Sequence, residues 1–571
     1  MSTSNKAPAE ESTPHRWKTV ASLFLATACL KILLMPSYRS TDFDVHRNWL
    51  AITRHLPMAE WYYNDVNGTT VHTLDYPPSF AFFEYLLSNN AITNTLLKHH
   101  QLLDERCLEL LPDSDNEPSQ ACVIFHRSTV IISDIILWWG AWIASHAVVP
   151  WEQQIVIEHI PLSFYLIVLH PGLLWLDHVH FQYNGMLFGI FLASLGYLMQ
   201  GNLVLLVNND NNSNINKNQK QFHTCHWKAA VLFALLLTMK HLFLTLGPFY
   251  FVYLLRRYCL EDSALMIEKK RSIQQSTDTK SSSKRQTKKS NTKDSLQLRL
   301  NRLVTLGMYT LVTLLVPFLP FLKHLPQLGA RLFPFGRGLV HDYWAANVWA
   351  LYMFADKTLN IILGKSSLPE IPASTCALLL LVSLLPGLYY GAWKAAAQRD
   401  NSRLLLAVIY AALCSFQLGF HVHEKAILNA IIPMILLVAN KSTTTTSKRM
   451  ASTRFLFLQM TALGLLGIFP LLFRKVELPI KLASYTAYMA LCYHTLMESS
   501  DDTIGNTAVT SLRTKLELWP LVTLVAGIVV ILEVIPVKWF GKLEFLPLLV
   551  TSVGCAFGLL LCWIRLLLLL F

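Results

Sequence analysis

The sequence predicts an all-α, polytopic membrane protein with about 14 membrane-spanning helices and a structured first loop beyond the membrane. Three observations carry this reading. Of 571 residues, 53% are hydrophobic and 15% charged, where a soluble chain has roughly a quarter charged. The apolar residues come in long blocks, many near the length of a bilayer crossing. The unusual polar motifs lie in the connections between those blocks.

Taken in order, a tail of residues 1–16 precedes an apolar block at 20–35. That block carries Lys31, exceeds the apolar region of a cleaved leader and lacks a small-residue cleavage site, so it reads as a signal anchor. Further blocks lie at 130–149, 162–175, 186–207, 303–321, 376–390, 404–420, 426–439, 455–473, 482–497, 518–535 and 545–571. Backbone polar groups in lipid must be satisfied within the segment, so each is expected to be helical. The blocks divide the chain into an N-terminal membrane module (17–255) with a long polar loop (37–125), a basic linker (256–300), a second module (301–440) with its own polar loop (323–372), and C-terminal helices (441–571).

Charge sets the orientation. The formal charge of +12 lies mainly in loops and does not call for nucleic acid. Residues 39–121 carry twelve Asp and Glu against five Lys and Arg; residues 256–299 carry five against twelve and are rich in Ser, Thr and Gln. The positive-inside rule places the basic segment in the cytosol, as a disordered linker, and the acidic loop in the lumen. For the linker to stay cytosolic, 227–255 must cross twice or not at all. Lys240-His241 interrupts it midway, which predicts two short helices with that pair at the lumenal tip. Both termini are then cytosolic, and 345–364 is expected to be lumenal and partly buried without crossing. Cys107 and Cys122 share the acidic loop and can pair if it is oxidised. His223, Cys225 and His226 form a ligand-like cluster without a second one, and read as loop residues, not a metal site.

With this topology the polar motifs fall on one face. They are Thr41-Asp-Phe-Asp-Val-His-Arg-Asn-Trp49, Leu74-Asp-Tyr-Pro-Pro78, Asp177-His-Val-His-Phe-Gln-Tyr-Asn184, Lys240-His241, Phe333-Pro-Phe-Gly-Arg-Gly-Leu-Val-His-Asp342 and His421-Val-His-Glu-Lys425. Singly, each has a bland reading as a solvated helix end, a turn or an interfacial anchor. Together they suit group transfer from a membrane-held anionic donor. One carboxylate deprotonates a hydroxyl, and Arg, Lys and His hold the departing phosphate. No dense carboxylate cluster of the metal-binding kind is present, so these cations can replace a metal. A transporter would instead place polar residues near the bilayer midplane.

These blocks, in this order, resemble the endoplasmic-reticulum α-1,3-glucosyltransferases that use dolichyl phosphate glucose, polytopic enzymes of the GT-C type in asparagine-linked glycosylation. The similarity runs from Thr41 to at least Pro433. Ser40-Thr-Asp-Phe-Asp-Val-His-Arg-Asn-Trp-Leu50 and Val340-His-Asp-Tyr-Trp344 look like the branch that adds the second glucose to the lipid-linked oligosaccharide.

The resemblance implies Asp42 as general base, with Asp44 as rival and Asp75 assisting. It implies donor or phosphate contacts from Arg337, His423, Glu424 and Lys425, to which the topology adds Lys240 and His241. The pocket is expected to include Arg47, Trp49, Tyr76, His178, His180, Gln182, Tyr183, Asn184, His341 and Asp342. No catalytic role is carried to His341, where the first-glucose branch has an acidic residue. The implied partners are dolichyl phosphate glucose, a dolichyl-pyrophosphate-linked oligosaccharide and membrane lipids, with no metal or other cofactor. A β-linked donor and an α-linked product imply one inverting displacement. The alternatives are the related first-glucose enzyme and, from a different class, a lipid-linked-sugar flippase.

Overall fold

The computed structural model describes residues 12–63, 72–99, 103–110, 117–148, 160–204, 212–260, 287–341, 344–364, 368–439, 447–497, 519–535 and 545–571. Among them there is no β-strand, only an isolated parallel bridge between Val340 and Val422.

The first module begins with α1 (Ser12–Leu33). The polar loop that follows is itself folded into α2 (Thr41–His55), α3 (Pro78–Asn89) and α4 (Ala91–Lys98). Then come α5 (Gln120–Val148), α6 (Leu162–Val168), a π-turn (Leu174–Phe181), α7 (Asn184–Val204), α8 (Asn212–Met239) and α9 (Gly247–Leu254). The second module holds α10 (Thr287–Leu315), α11 (Leu325–Leu332), α12 (Val348–Leu363), α13 (Ala373–Pro386), α14 (Asn401–Leu418) and α15 (Leu428–Val438). The chain closes with α16 (Ser447–Ile468), α17 (Leu478–Met497), α18 (Trp519–Val534) and α19 (Leu546–Leu568).

Every predicted apolar block is mainly helical where it is described, with a break at Leu169-His170 inside the block at 162–175. Among the described residues, nine segments are long and apolar enough to cross a membrane. The expected break at Lys240-His241 is present: α8 ends at Met239 and a 3₁₀ turn (His241–Leu246) leads into α9. Two expectations need correction. The basic linker expected over 256–300 does not reach residue 300, because α10 begins at Thr287; 261–286 lie outside the described residues. His223, Cys225 and His226 are not in a loop. They lie within α8, where His223 Nδ1 meets the Tyr258 hydroxyl at 3.1 Å and His226 stacks on the same ring.

α5 and α7 cross very closely. A Cβ on Gly140 would lie 1.9 Å from the Gly189 carbonyl oxygen, and one on Gly189 would lie 2.2 Å from that of Ile136. Only glycine permits this approach, the small-residue packing expected of helices in lipid. It brings Asp134 of α5 against the start of α7. The Cys107–Cys122 disulfide forms as well, with a Cα–Cα distance of 5.4 Å, and ties the polar loop to the first turn of α5.

Candidate active site

The first turn of α2 carries Asp42 and Asp44. A helix N-terminus favours negative charge, so this is a suitable place for an ionised carboxylate. Three nitrogen-bearing side chains from two distant segments meet on one oxygen of Asp42. Lys425 Nζ lies 3.0 Å from Oδ2, His180 Nε2 lies 3.2 Å away, and Gln182 Nε2 also donates to it. Among the described residues no hydrogen bond or ion pair reaches Oδ1, and the Asp42 side chain keeps 28% of its surface exposed. One oxygen is therefore held and the other, among the described residues, is not. Burial alone would raise the Asp42 carboxyl, but the Lys425 ammonium holds it well below the usual carboxylate range.

The two donor segments owe their shape to irregular backbone. The Asp177–Asn184 motif runs through the π-turn, whose wider winding re-aims successive side chains. Phe181 has φ +86°, a left-handed conformation that is strained for a bulky residue. Asp177 accepts from the backbone N–H groups of Asn184 and Gly185 and so fixes the start of α7. His178 points inward, with Nε2 2.9 Å from Asp134, which also accepts from Lys31 at 2.6 Å. Asn184 donates to Gln182 Oε1 at 2.7 Å and accepts from Lys240 Nζ at 3.2 Å. Tyr183 pairs with the Thr129 hydroxyl at 2.7 Å.

The second segment turns at His421, with φ +53°. Its N–H donates to the Leu339 carbonyl at 2.9 Å beside the Val340–Val422 bridge, which joins the two polar loops of the second module. Beyond this turn His423 packs against His341 with the rings tilted and their centroids 4.2 Å apart. Glu424 is 4% exposed, and among the described residues neither carboxylate oxygen has a hydrogen-bond partner. Burial pushes this carboxyl up to about 7 and His423 well below the usual histidine range. Nitrogen and oxygen atoms of His341, His423 and Glu424 lie within 4.8 Å of one another, close enough for one cation to bridge.

Lys240 is 9% exposed, lies over the Tyr76 ring at 5.0 Å and shares the site with Lys425. Burial and the Lys425 ammonium push it down to about 7. Asp75 adds negative field to Lys240 and Tyr76.

The structure thus brings together Asp42, Asp75, Tyr76, His180, Gln182, Asn184, Lys240 and Lys425, with His341, His423 and Glu424 beside them. It does not bring in Asp44, which pairs with Arg39 at 3.3 Å and is raised by burial. Arg47 is turned to the Cys107 and Arg106 carbonyls, at 3.2 and 2.8 Å, where it braces the disulfide loop. Trp49 is 2% exposed and donates to the Thr73 carbonyl. His178 and Tyr183 are buried supports, and His241 packs on Phe333. Arg337 lies in a 3₁₀ turn (Phe335–Arg337), but its side chain lies outside the described residues, as does all of Asp342. Sequence reasoning missed Tyr38 and Asp134. The signal for Asp134 was present: an ionisable residue inside an apolar helix usually has a function and a partner.

Residues 27–566 match the model of the ALG6, ALG8 glycosyltransferase family. A mouse (Mus musculus) protein named dolichyl pyrophosphate Glc1Man9GlcNAc2 alpha-1,3-glucosyltransferase is 33% identical, across 96% of this chain and 94% of its own. A protein of the same name from Arabidopsis thaliana is 31% identical, across 95% and 96%. A Drosophila melanogaster protein, named as a probable enzyme of that kind, is 34% identical, across 93% and 90%. An all-helical membrane architecture, a lysine-held carboxylate between its polar loops and a match over nearly the full length lead to one conclusion: the chain belongs to the ALG6, ALG8 glycosyltransferase family.

Proposed function

We propose that the chain moves glucose from dolichyl phosphate β-glucose to the 3-hydroxyl of the terminal glucose of a monoglucosylated, dolichyl-pyrophosphate-linked oligosaccharide. The site faces the lumen of the endoplasmic reticulum, and the new linkage is α-1,3. The observation that carries this reading is the asymmetry of Asp42. Its Oδ2 is held by Lys425, His180 and Gln182, while Oδ1 has no hydrogen-bond partner among the described residues and is the atom assigned to an incoming hydroxyl. A carboxylate oriented in this way is placed to act as a general base.

The acceptor oxygen attacks C1 as Asp42 takes its proton, and the bond from C1 to the phosphate oxygen breaks on the opposite side. That geometry inverts the anomeric centre. Lys425 and Lys240 stabilise the charge that grows on the leaving phosphate, and Arg337 is the further residue assigned to it. The second-glucose assignment is supported by the names of the relatives above. In the acceptor test, purified protein receives dolichyl phosphate glucose and lipid-linked oligosaccharide bearing either no glucose or one. Transfer to the monoglucosylated acceptor alone is expected; transfer to the glucose-free acceptor alone would assign the first-glucose reaction. Transfer in detergent also separates an enzyme from a flippase, which needs two compartments.

We further propose that the reaction needs no divalent metal, because fixed ammonium groups supply the positive charge. The His341–His423–Glu424 group makes a chelator test informative. Loss of activity in chelator, restored by magnesium or manganese, would replace this reading with a metal-assisted one.

A further inference from the structure

Tyr38 lies between α1 and α2 and is held on every side. Its backbone N–H donates to Glu477 Oε1 at 3.3 Å, and its carbonyl accepts from Arg127 Nη2 at 2.9 Å. Its ring packs edge-on against Phe473 and under the Arg474 guanidinium. Its hydroxyl lies 2.5 Å from the Leu471 carbonyl oxygen and 2.8 Å from His180 Nδ1. Only 3% of the residue is exposed.

Counting protons at this hydroxyl fixes the state of the histidine. A phenol carries one hydrogen, and a carbonyl oxygen can only accept. The hydrogen therefore goes to Leu471, and the phenol oxygen accepts from His180, which must carry hydrogen on Nδ1. A neutral ring then presents the Nε2 lone pair to Asp42 Oδ2, 3.2 Å away. Two lone pairs repel at that distance, so the contact is favourable when one proton lies between them. The titratable and charged groups around the pair are Lys425, Lys240, His423 and Glu424 at Asp42, and Arg127, Arg474 and Glu477 at Tyr38.

We propose that Tyr38 is a positioning residue that fixes the tautomer of His180, so that Nε2 receives the proton Asp42 takes from the attacking hydroxyl. This role rests on Asp42 being the base. The acceptor O–H bond breaks as its oxygen bonds to C1, and the electron pair of the C1–O bond leaves with the phosphate. Once protonated, the Asp42 carboxyl needs fewer donors, and a turn about Cβ–Cγ brings its O–H to Nε2. Transfer there leaves Asp42 ionised and His180 as imidazolium, which water deprotonates. The C-terminal helices hold the catalytic dyad through the Leu471–Glu477 segment.

Tyr38→Phe keeps the volume and removes the acceptor oxygen. His180 can then carry hydrogen on Nε2 and donate it to Asp42, which stabilises the carboxylate and weakens it as a base. The test uses the full-length enzyme in detergent, with dolichyl phosphate glucose and the monoglucosylated acceptor. We expect kcat to fall about tenfold, both KM values to stay within about twofold, and the acid limb of the kcat profile to move to lower pH. His180→Gln should lower kcat to a similar extent, and Tyr38→Phe should add little to it. Wild-type kcat and pH profile in Tyr38→Phe, or losses that multiply in the double variant, would overturn the proposal. So would a lower unfolding temperature with unchanged turnover per folded molecule. Near-wild-type turnover in Asp42→Asn would instead remove the base assignment itself, whatever Tyr38→Phe shows.

Discussion

Asp42 and Asp44 stand two residues apart on one helix, yet their surroundings push their acidities in opposite directions. Asp42→Asn should fold normally and lose turnover by roughly 10²–10⁴-fold, the range for a general base. Asp44→Asn should keep most of it, because that carboxylate is occupied by Arg39. Purified variants assayed per folded molecule decide the matter, and the reverse pattern would reassign the base. Lys240 gives a pH signature. Its pKa is depressed to about 7, so the cation is present below that pH and lost above it. The kcat should therefore fall as pH increases from 6 to 8.5. Lys240→Arg, which stays charged throughout, should flatten that fall. Asp42, Gln182 and Lys425 were legible in the sequence because they sit in dense polar motifs next to apolar blocks. Arg47 and Trp49 share a motif with Asp42 but do not reach the site, and neither does Asp44. A string of letters does not show which way the helix is turned. Tyr38 was illegible because its meaning depends on a backbone carbonyl, which any residue can supply.

At the scale of elements, the apolar blocks fixed the helices well, since lipid leaves the backbone no alternative. The irregular windings were not legible. Nothing in Leu-Trp-Leu-Asp-His-Val-His-Phe announces a π-turn or a left-handed Phe181. Both follow from tertiary contacts on either side, among them the Lys31–Asp134–His178 group that ties α1, α5 and the π-turn together. Lys31 was noticed in the sequence only as a charge in the anchor. Breaking a buried ion pair from one side costs about 3–5 kcal/mol, because the remaining charge is left buried. Lys31→Met should therefore lower the unfolding temperature of the purified protein by several degrees. Adding Asp134→Asn should recover part of the loss, since a neutral amide needs no counter-ion. An unfolding temperature unchanged by Lys31→Met would mean that the group contributes little to holding α1.

Across the whole molecule, the orientation rests on charge and can be tested with glycans. Asn67-Gly-Thr69 belongs to the acidic loop and lies outside the described residues, as do Asn211 and Asn440. In microsomes only Asn67 is expected to be modified, and a glycan on Asn211-Asn-Ser213 or Asn440-Lys-Ser442 would reverse the assignment. The C-terminal helices matched no motif in the sequence reading, yet they hold the strut on which His180 rests. Their contribution is made by backbone atoms and packing, so it leaves little trace in residue identity. It does leave one in time. Tyr38 and Leu471 are separated by 433 positions, and ribosomes add roughly 5–20 residues per second. The base would thus emerge roughly 20–90 seconds before the carbonyl that steadies its partner. During that interval the nascent chain can insert its first helices but cannot hold a working dyad. A product cut short before Leu471 should remain in the membrane and turn over about tenfold more slowly or worse, so full catalysis reports that synthesis has passed that residue.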